Sequence, residues 1–374
     1  MMELLIDGAR YGGWAAVSVQ RAVEQAASAF SLGVTERWPD GGDAWRITPG
    51  AECTLEIEGE TVLSGFSDLF TAGLDGGRRD VGVQGRAKTA DLIDSSAIHP
   101  DGQFRGLDAA GIARTLCAPF AIDVESEIDA DAITDLQLQQ GETCQDVLER
   151  MARQQGFLFG DTPAGALRLY RAGAVRADDA LIEGENILRA NIDLDASAVH
   201  SEYRVKGQQA WVPGLSGEDV AAPTSGRVVS SRPMRHRPLM LTAESQSHPA
   251  WAQKRAAWEA RRRSARALSV SMTVQGWRQS TGALWRENSI VYVRSAALGL
   301  ARDLLIAEIE YSLGPDGTLT RMRLTHREAF EPEPDQVRDQ AGGRKAPRAS
   351  EARARSSAKT DAIDWTDYYQ EAAG

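Results

Sequence analysis

The stretch Val83-Gln84-Gly85-Arg86-Ala87-Lys88-Thr89-Ala90-Asp91-Leu92-Ile93-Asp94-Ser95-Ser96-Ala97 separates two kinds of pattern. Before it, apolar residues alternate; after it, they recur at helical spacing. It reads as a strand ending at Gly85, a basic pair, and a short helix with Thr89 near its N-cap and Asp91 in its first turn. A carboxylate there complements the exposed N–H groups and the positive end of the helix dipole. No residue in it has the setting of a nucleophile, a metal ligand or a phosphate cradle. The stretch therefore predicts a joint between domains.

Upstream, residues 16–20 and 30–34 alternate, and in 52–58 Cys53, Leu55 and Ile57 share one face. Glu58-Gly59-Glu60 predicts a turn into a strand at 62–70. Asp75-Gly76-Gly77 predicts the next hairpin, with Val81 and Val83 on one face of its second strand. Many short strands with Gly-rich turns predict a barrel or sandwich.

Downstream, 107–117 reads as a helix closed by Pro119. Residues 143–155 read as another, with Val147, Leu148 and Met151 as its stripe and Gly156 as its stop. A hairpin of 157–160 and 167–170 around Pro163-Ala164-Gly165 completes a small α+β domain. From Ile187 strands return, at 201–207, 268–275, 289–294, 304–313 and 318–327, the last two joined by Gly314-Pro315-Asp316-Gly317. A Gly/Ala/Pro-rich loop at 213–223 and a helix from Ser247-His248-Pro249 to about Arg266 interrupt them. On that helix Trp251 and Trp258 lie seven apart, on one face.

Past Phe330, Glu331-Pro332-Glu333-Pro334 is extended. Residues 342–359, basic and rich in Ala and Ser, read as a linker. The end, Ile363-Asp364-Trp365-Thr366-Asp367-Tyr368-Tyr369, sets three aromatics on an acidic tip. It reads as a docking peptide anchored by Trp365, Tyr368 and Tyr369, the alternative being a frayed end. There is also an internal echo. Trp45-Arg46 and three following strands match Trp285-Arg286 and three following strands in order and spacing.

A chain of 374 residues predicts two to four domains. Its net charge of −11 argues against a main task of gripping phosphates and suits a surface that lets DNA pass. No apolar run is long enough to span a bilayer, and Met1-Met2-Glu3-Leu4 lacks the basic start of a signal peptide. Cys53, Cys117 and Cys144 have no CxxC spacing and read as small buried hydrophobes. His99, His200, His236, His248 and His326 lack a second ligand three or four residues away, so no metal site is expected. Asp91 and Asp94 read as capping residues, and Ser95-Ser96 has no base nearby. Arg261-Arg262-Arg263 with Arg266 reads as a solvated helix face or an intersubunit contact. No catalysis and no cofactor are expected.

The wording of 85–94 resembles the matching joint of the baseplate hub proteins of Mu-like contractile-tailed phages, the Mu tail protein P family. Other pieces match in order: Gly13-Trp14, then Val17-Ser18-Val19-Gln20-Arg21-Ala22-Val23-Glu24 and Phe30-Ser31-Leu32. Gln139-Gln140-Gly141-Glu142-Thr143, Gly184-Glu185-Asn186-Ile187-Leu188, Tyr203-Arg204-Val205-Lys206-Gly207-Gln208 and Trp285-Arg286-Glu287-Asn288 follow. The resemblance covers about 4–330.

It implies an α+β, mainly β chain carrying two tail-tube-like β-barrel domains with an α+β domain between them and an extended C-terminal tail. The expected parts are a first barrel at 1–88, a small α+β domain at 89–182, and a second barrel at 183–330 with a helical insertion around 247–266. The tail with linker and docking tip spans 331–374. The implied function is a structural hub of the virion baseplate, assembled in the host cytoplasm: a homotrimer adapting the six-fold tail tube to the three-fold central spike. The implied partners are its own copies, the spike, the tube or a tube adaptor, and baseplate wedge proteins, with no specific nucleic acid and no membrane. The competing reading is a peptidoglycan-binding or cell-wall-degrading tail component, because Gly141-Glu142-Thr143 before a helix is similar to the opening of LysM modules.

Overall fold

The computed structural model describes residues 1–36, 47–75, 78–129, 132–207, 224–230, 235–243 and 249–334. Trp45-Arg46, Gly76-Gly77, the 213–223 loop, Ser247-His248, the linker and Trp365, Tyr368 and Tyr369 lie outside the described residues. The chain groups into two units. One comprises Met1–Ile192, Val270–Ser295 and Ala301–Thr325; the other comprises Asp193–Ser269, Ala296–Leu300 and His326–Gly374.

The first unit is built on a 14-stranded sheet. Alternation places Val17, Val19, Leu32, Cys53, Leu55, Ile57, Val81 and Val83 inside, all buried. Within the sheet one pairing order occurs twice. The strands Ala16–Ala22, Ala29–Glu36, Arg78–Ala87, Glu60–Asp75 and Glu52–Ile57 are neighbours in that order. So are Ile187–Leu194, Leu268–Gln275, Gly317–Thr325, Leu300–Gly314 and Ser289–Ser295. In both sets the fourth strand carries a register shift, between Ser67 and Leu69 and between Ile306 and Glu308.

The two sets are joined by hydrogen bonds. Ala16–Ala22 pairs antiparallel with Leu300–Gly314, from Val17↔Leu313 to Ala22↔Glu308. This corrects the expectation of two separate barrels: among the described residues no barrel closes, and one sheet runs open from Ile187–Leu194 to Ala9–Tyr11. The reason is that Ala16–Ala22 gives one edge to its own set and the other edge to the second set. A barrel closed within 1–88 needs that second edge for itself.

The joint differs in detail from its reading. The strand Arg78–Ala87 does not end at Gly85 but runs through it. A Cβ at Gly85 would lie 2.1 Å from the Phe66 carbonyl oxygen and 2.7 Å from the Phe30 ring, so the glycine serves close packing. Thr89 occupies the cap position of the helix Ala90–Asp94 but has helical backbone (φ −65°, ψ −10°) and makes no side-chain cap bond. Burial, with Asp94 adding to it, raises the Asp91 carboxyl above its usual value. The joint is tied instead by Arg86, which donates to Asp68 at 2.8 Å and Asp94 at 2.7 Å.

The α+β segment beyond it packs the helices Ala109–Cys117 and Cys144–Gln155 around Ile112, Leu116, Val147, Leu148, Met151 and Leu167. Asp108 caps the first, and a Thr143–Asp146 capping box with left-handed Gly156 bounds the second. Pro119 does not stop the first helix by itself. It lies in a 3-10 turn, Ala118–Phe120, and left-handed Ala121 ends the run. Burial pushes the Cys53 and Cys117 thiols up to about 12, which leaves them inert.

In the second unit, Glu202–Gly207 is the middle strand between Thr224–Val229, antiparallel, and Pro238–Thr242, parallel. The helix Pro249–Arg266 covers one face, packing Trp251, Ala252, Ala256 and Ala260 on Tyr203, Val205 and Val228. A Cβ at Gly226 would lie 2.1 Å from the Ala252 carbonyl oxygen, so helix and sheet meet at backbone distance.

Gly85→Ala should destabilise the chain by about 1–3 kcal/mol in urea unfolding. Gly73→Ala, where nothing stands within 4 Å of the added methyl, serves as control and should change stability little. Equal effects would refute the packing account of Gly85.

Candidate functional site

Arg21 follows Val17 and Val19 on the inward face of its strand, so its guanidinium is buried. Its Nε donates to Glu287 Oε1 at 2.9 Å, and Nη1 donates to Asp161 Oδ2 at 2.9 Å and the Val62 carbonyl at 3.0 Å. Nη2 donates to the Asp161 carbonyl at 2.9 Å. Asp161 Oδ1 accepts from the Ser28 amide at 2.9 Å and its hydroxyl at 2.7 Å. Burial alone would lower the Arg21 pKa, but Glu287 and Asp161 outweigh it and hold it above its usual value. Burial also lifts the Asp161 carboxyl against Arg21 and Ser28. Every side-chain group bound to that carboxyl donates, so the site fits the carboxylate.

Around this centre, Arg278 Nε donates to Glu58 at 3.0 Å and its Nη1 to Glu60 at 2.8 Å, while Arg286 donates to Glu60 at 2.6 Å. Burial would raise the Glu60 carboxyl, but the two arginines bring it below its usual range. Tyr311 donates to the Trp285 carbonyl, and Asn288 Oδ1 accepts from the Gly173 amide at 2.7 Å. These contacts join the first, middle and last segments of the unit. They satisfy one another and leave no activated nucleophile among themselves.

Nearby, a groove of about 500 Å³ is lined by Met1, Met2, Trp14, Trp277, Arg278 and Leu313. Among the described residues no group of three or more His, Cys, Asp or Glu is placed to hold a metal ion. His99 lies 4.5 Å from the Phe104 ring, tilted by 47°, and His200 lies edge-on to Tyr203.

In the second unit the residues after Thr325 lie against the helix. Trp258 Nε1 donates to the Glu331 carbonyl at 2.8 Å and Trp251 Nε1 to the Pro334 carbonyl at 2.9 Å. The seven-residue spacing thus binds carbonyls three residues apart on an extended strap. Arg261 pairs with Glu331, Arg255 with Glu333, and Arg266 donates to the Ala329 carbonyl. Arg262 lies over the Trp258 ring and Arg263 pairs with Glu259. The arginine run therefore holds the strap and the helix itself, rather than standing as a wholly solvated face.

The sequence matches "Mu phage baseplate assembly protein GpP-like, N-terminal" over residues 1–87 and "Baseplate hub protein gp44-like, second domain" over 89–171. It matches "Mu phage baseplate assembly protein GpP, fourth domain" over 248–333. It is 34% identical over 339 residues to the baseplate hub protein gp44 of Escherichia phage Mu, covering 88% of each chain. The chain belongs to the Mu-like baseplate hub family. It is a structural protein of a phage tail baseplate.

Among solved structures, the 43 kDa tail protein of prophage MuSo2 from Shewanella oneidensis is 31% identical, with a TM-score of 0.80. The match covers 88% of this chain and 99% of that one. The tail protein from Neisseria meningitidis MC58, 21% identical with a TM-score of 0.72, covers 89% and 98% and shares the fold. The Arg21–Asp161–Glu287 centre of this hub joins parts that the three matched domains describe separately, 1–87, 89–171 and 248–333.

Arg21→Met should cost about 3–5 kcal/mol in reversible unfolding, because it leaves Asp161 buried without its counter-charge. Arg176→Ala, which breaks an exposed pair with Asp303, should cost about 1 kcal/mol or less. Similar costs for both would contradict the role given to Arg21.

Proposed function

We propose that three copies of this chain form a ring that adapts the six-fold tail tube to the three-fold central spike. The supporting observation is the five-strand order that occurs twice in one sheet. Three chains then supply six similar tube-like sets, the number a six-fold tube requires, while three-fold symmetry remains for the spike. The parts at 1–88, 89–182, 183–330 and 331–374 serve as first tube-like half, outward domain, second half and tail. The middle domain projects outside the ring. The work is done by interface area and geometry, with no catalytic step and no bound metal.

The internal junction suggests how copies join. Ala16–Ala22, first strand of one set, uses the edge of Leu300–Gly314 at 308–313. In the other set the equivalent edge, 69–74 of Glu60–Asp75, lies past the reach of Glu52–Ile57, whose pairing stops at Phe66. Leu69 is 45% and Leu74 83% exposed, so this edge is apolar and open. Ile187–Leu194, the first strand of the second set, ends the sheet with Leu188 53% exposed. Pairing this end strand of one copy with the 69–74 edge of the next repeats the internal junction and closes a ring.

Other implied partners are the central spike, the tube or its adaptor, and wedge proteins, in the virion baseplate after assembly in the host cytoplasm. The tail engages a neighbouring protein or subunit through Trp365, Tyr368 and Tyr369, aromatic anchors that bury large area for few lost rotamers.

Light scattering should give a three-copy mass, and Leu188→Glu with Leu74→Glu should return it to one copy while the circular dichroism spectrum is kept. A doubly substituted chain that still forms three-copy particles would refute this junction. Deleting residues 342–374 should leave the hub folded but weaken baseplate assembly; full infectivity after deletion would refute the tail's role.

A further inference from the structure

The helix Pro249–Arg266 covers one face of the three-stranded sheet in the second unit; the other face is open. It presents Arg204, Lys206, Ser225, Arg227, Val229, Pro238, Met240 and Thr242, every one exposed, and the buried Glu202. Register sets Arg227, Arg204 and Met240 in one row across the strands, with Ser225, Lys206 and Thr242 in the next. Arg204 and Arg227 both donate to Glu202 and bring its carboxyl down to about 2, so the carboxylate persists. The formal charge of the face is three positive less one negative, +2, on a chain of net −11. Val229 and Met240, 53% and 55% exposed, add an apolar margin.

We infer that in the free chain this face receives the chain's own tail tip, residues 361–371. The inference rests on reading the tip as a docking element. The tip complements the face in charge: Asp361, Asp364, Asp367 and Glu371 give −4, and 361–374 contains no Lys or Arg. It complements it in kind as well, since Trp365, Tyr368 and Tyr369 can stack on guanidinium planes and cover Met240 and Val229. The tether suits it. The tail leaves the helix at Pro334, held by Trp251, and 26 residues, 335–360, separate that point from Asp361. A flexible chain of that length spans roughly 28 Å, while three strands and a helix layer measure about 10 Å each way. Docking within one chain therefore proceeds at the high effective concentration of a short tether. The tip is thereby kept off other surfaces until a partner competes for it.

Lys206 makes the contact testable in the full-length protein. A zero-length carbodiimide joins lysine amines to carboxylates they touch; Lys88 and Lys254 are the other lysines among the described residues. The expected result is a peptide pair joining Lys206 to Asp361, Asp364, Asp367 or Glu371. It should fall at least tenfold in about 1 M salt and in a Trp365→Ala/Tyr368→Ala/Tyr369→Ala variant, whose changes lie outside both folded units' described residues. In a mixture of isotope-labelled and unlabelled protein, the pair should carry a single label. Absence of the Lys206 pair, equal coupling to Lys88 and Lys254, indifference to the triple substitution, or mixed-label pairs would each overturn the inference. None of these outcomes bears on ring formation, which the particle mass reports separately.

Discussion

A guanidinium taken out of water must find acceptors, and Arg21 finds them 41, 140 and 266 residues away in Val62, Asp161 and Glu287. None of these partners is local, so the charge can be buried only when first, middle and last segments are already together. The same condition holds for Asp161, whose two oxygens accept from Arg21 and from Ser28. A missing partner leaves a bare charge inside, which costs more than the completed pair contributes. The centre thus acts less as a source of stability than as a test of correct assembly of three segments. The chain leaves for Asp193–Ser269 between them, and the returning strands must re-enter at one register.

That requirement bears on what a baseplate hub does. A part that joins other proteins in fixed geometry needs halves that do not shift against each other. The sheet supplies continuous hydrogen bonding from one five-strand set to the other, and the Arg21, Arg278 and Arg286 contacts prevent slippage along it. A one-residue slip would put Arg21 on the opposite face and Gln20 inside. The strands Glu60–Asp75 and Ile187–Leu194 are then held within one sheet.

Alternation made most strands legible, because a half-buried sheet imposes a period of two. Helix bounds at Thr143 and Gly156 were legible through capping chemistry, and the seven-residue spacing of Trp251 and Trp258 announced a shared face. The Arg21 centre was not read, although its signal was present: Arg21 continues the series Val17, Val19 on the buried face, where a charge demands partners. Nothing local names those partners, since Asp161 sits in a hairpin and Glu287 before a strand. Gly85 looked like a strand end because glycine interrupts strands; its cause is the Phe66 and Phe30 atoms beside it, fixed only by tertiary packing. Separate barrels looked natural because pairing between distant strands leaves no trace in either strand alone. Trp365, Tyr368 and Tyr369 lie outside the described residues, so their reading as docking anchors stands on sequence.

The central claim is that the two strand sets and the hairpin bearing Asp161 form one cooperative body through Arg21. Native-state hydrogen exchange tests it directly. The account predicts that the amides of Val19, Ile309 and Leu169 exchange through one opening of the same free energy and the same denaturant dependence, near that of global unfolding. Opening of 308–313 at markedly lower free energy than 17–22, with Leu169 following neither, would contradict it.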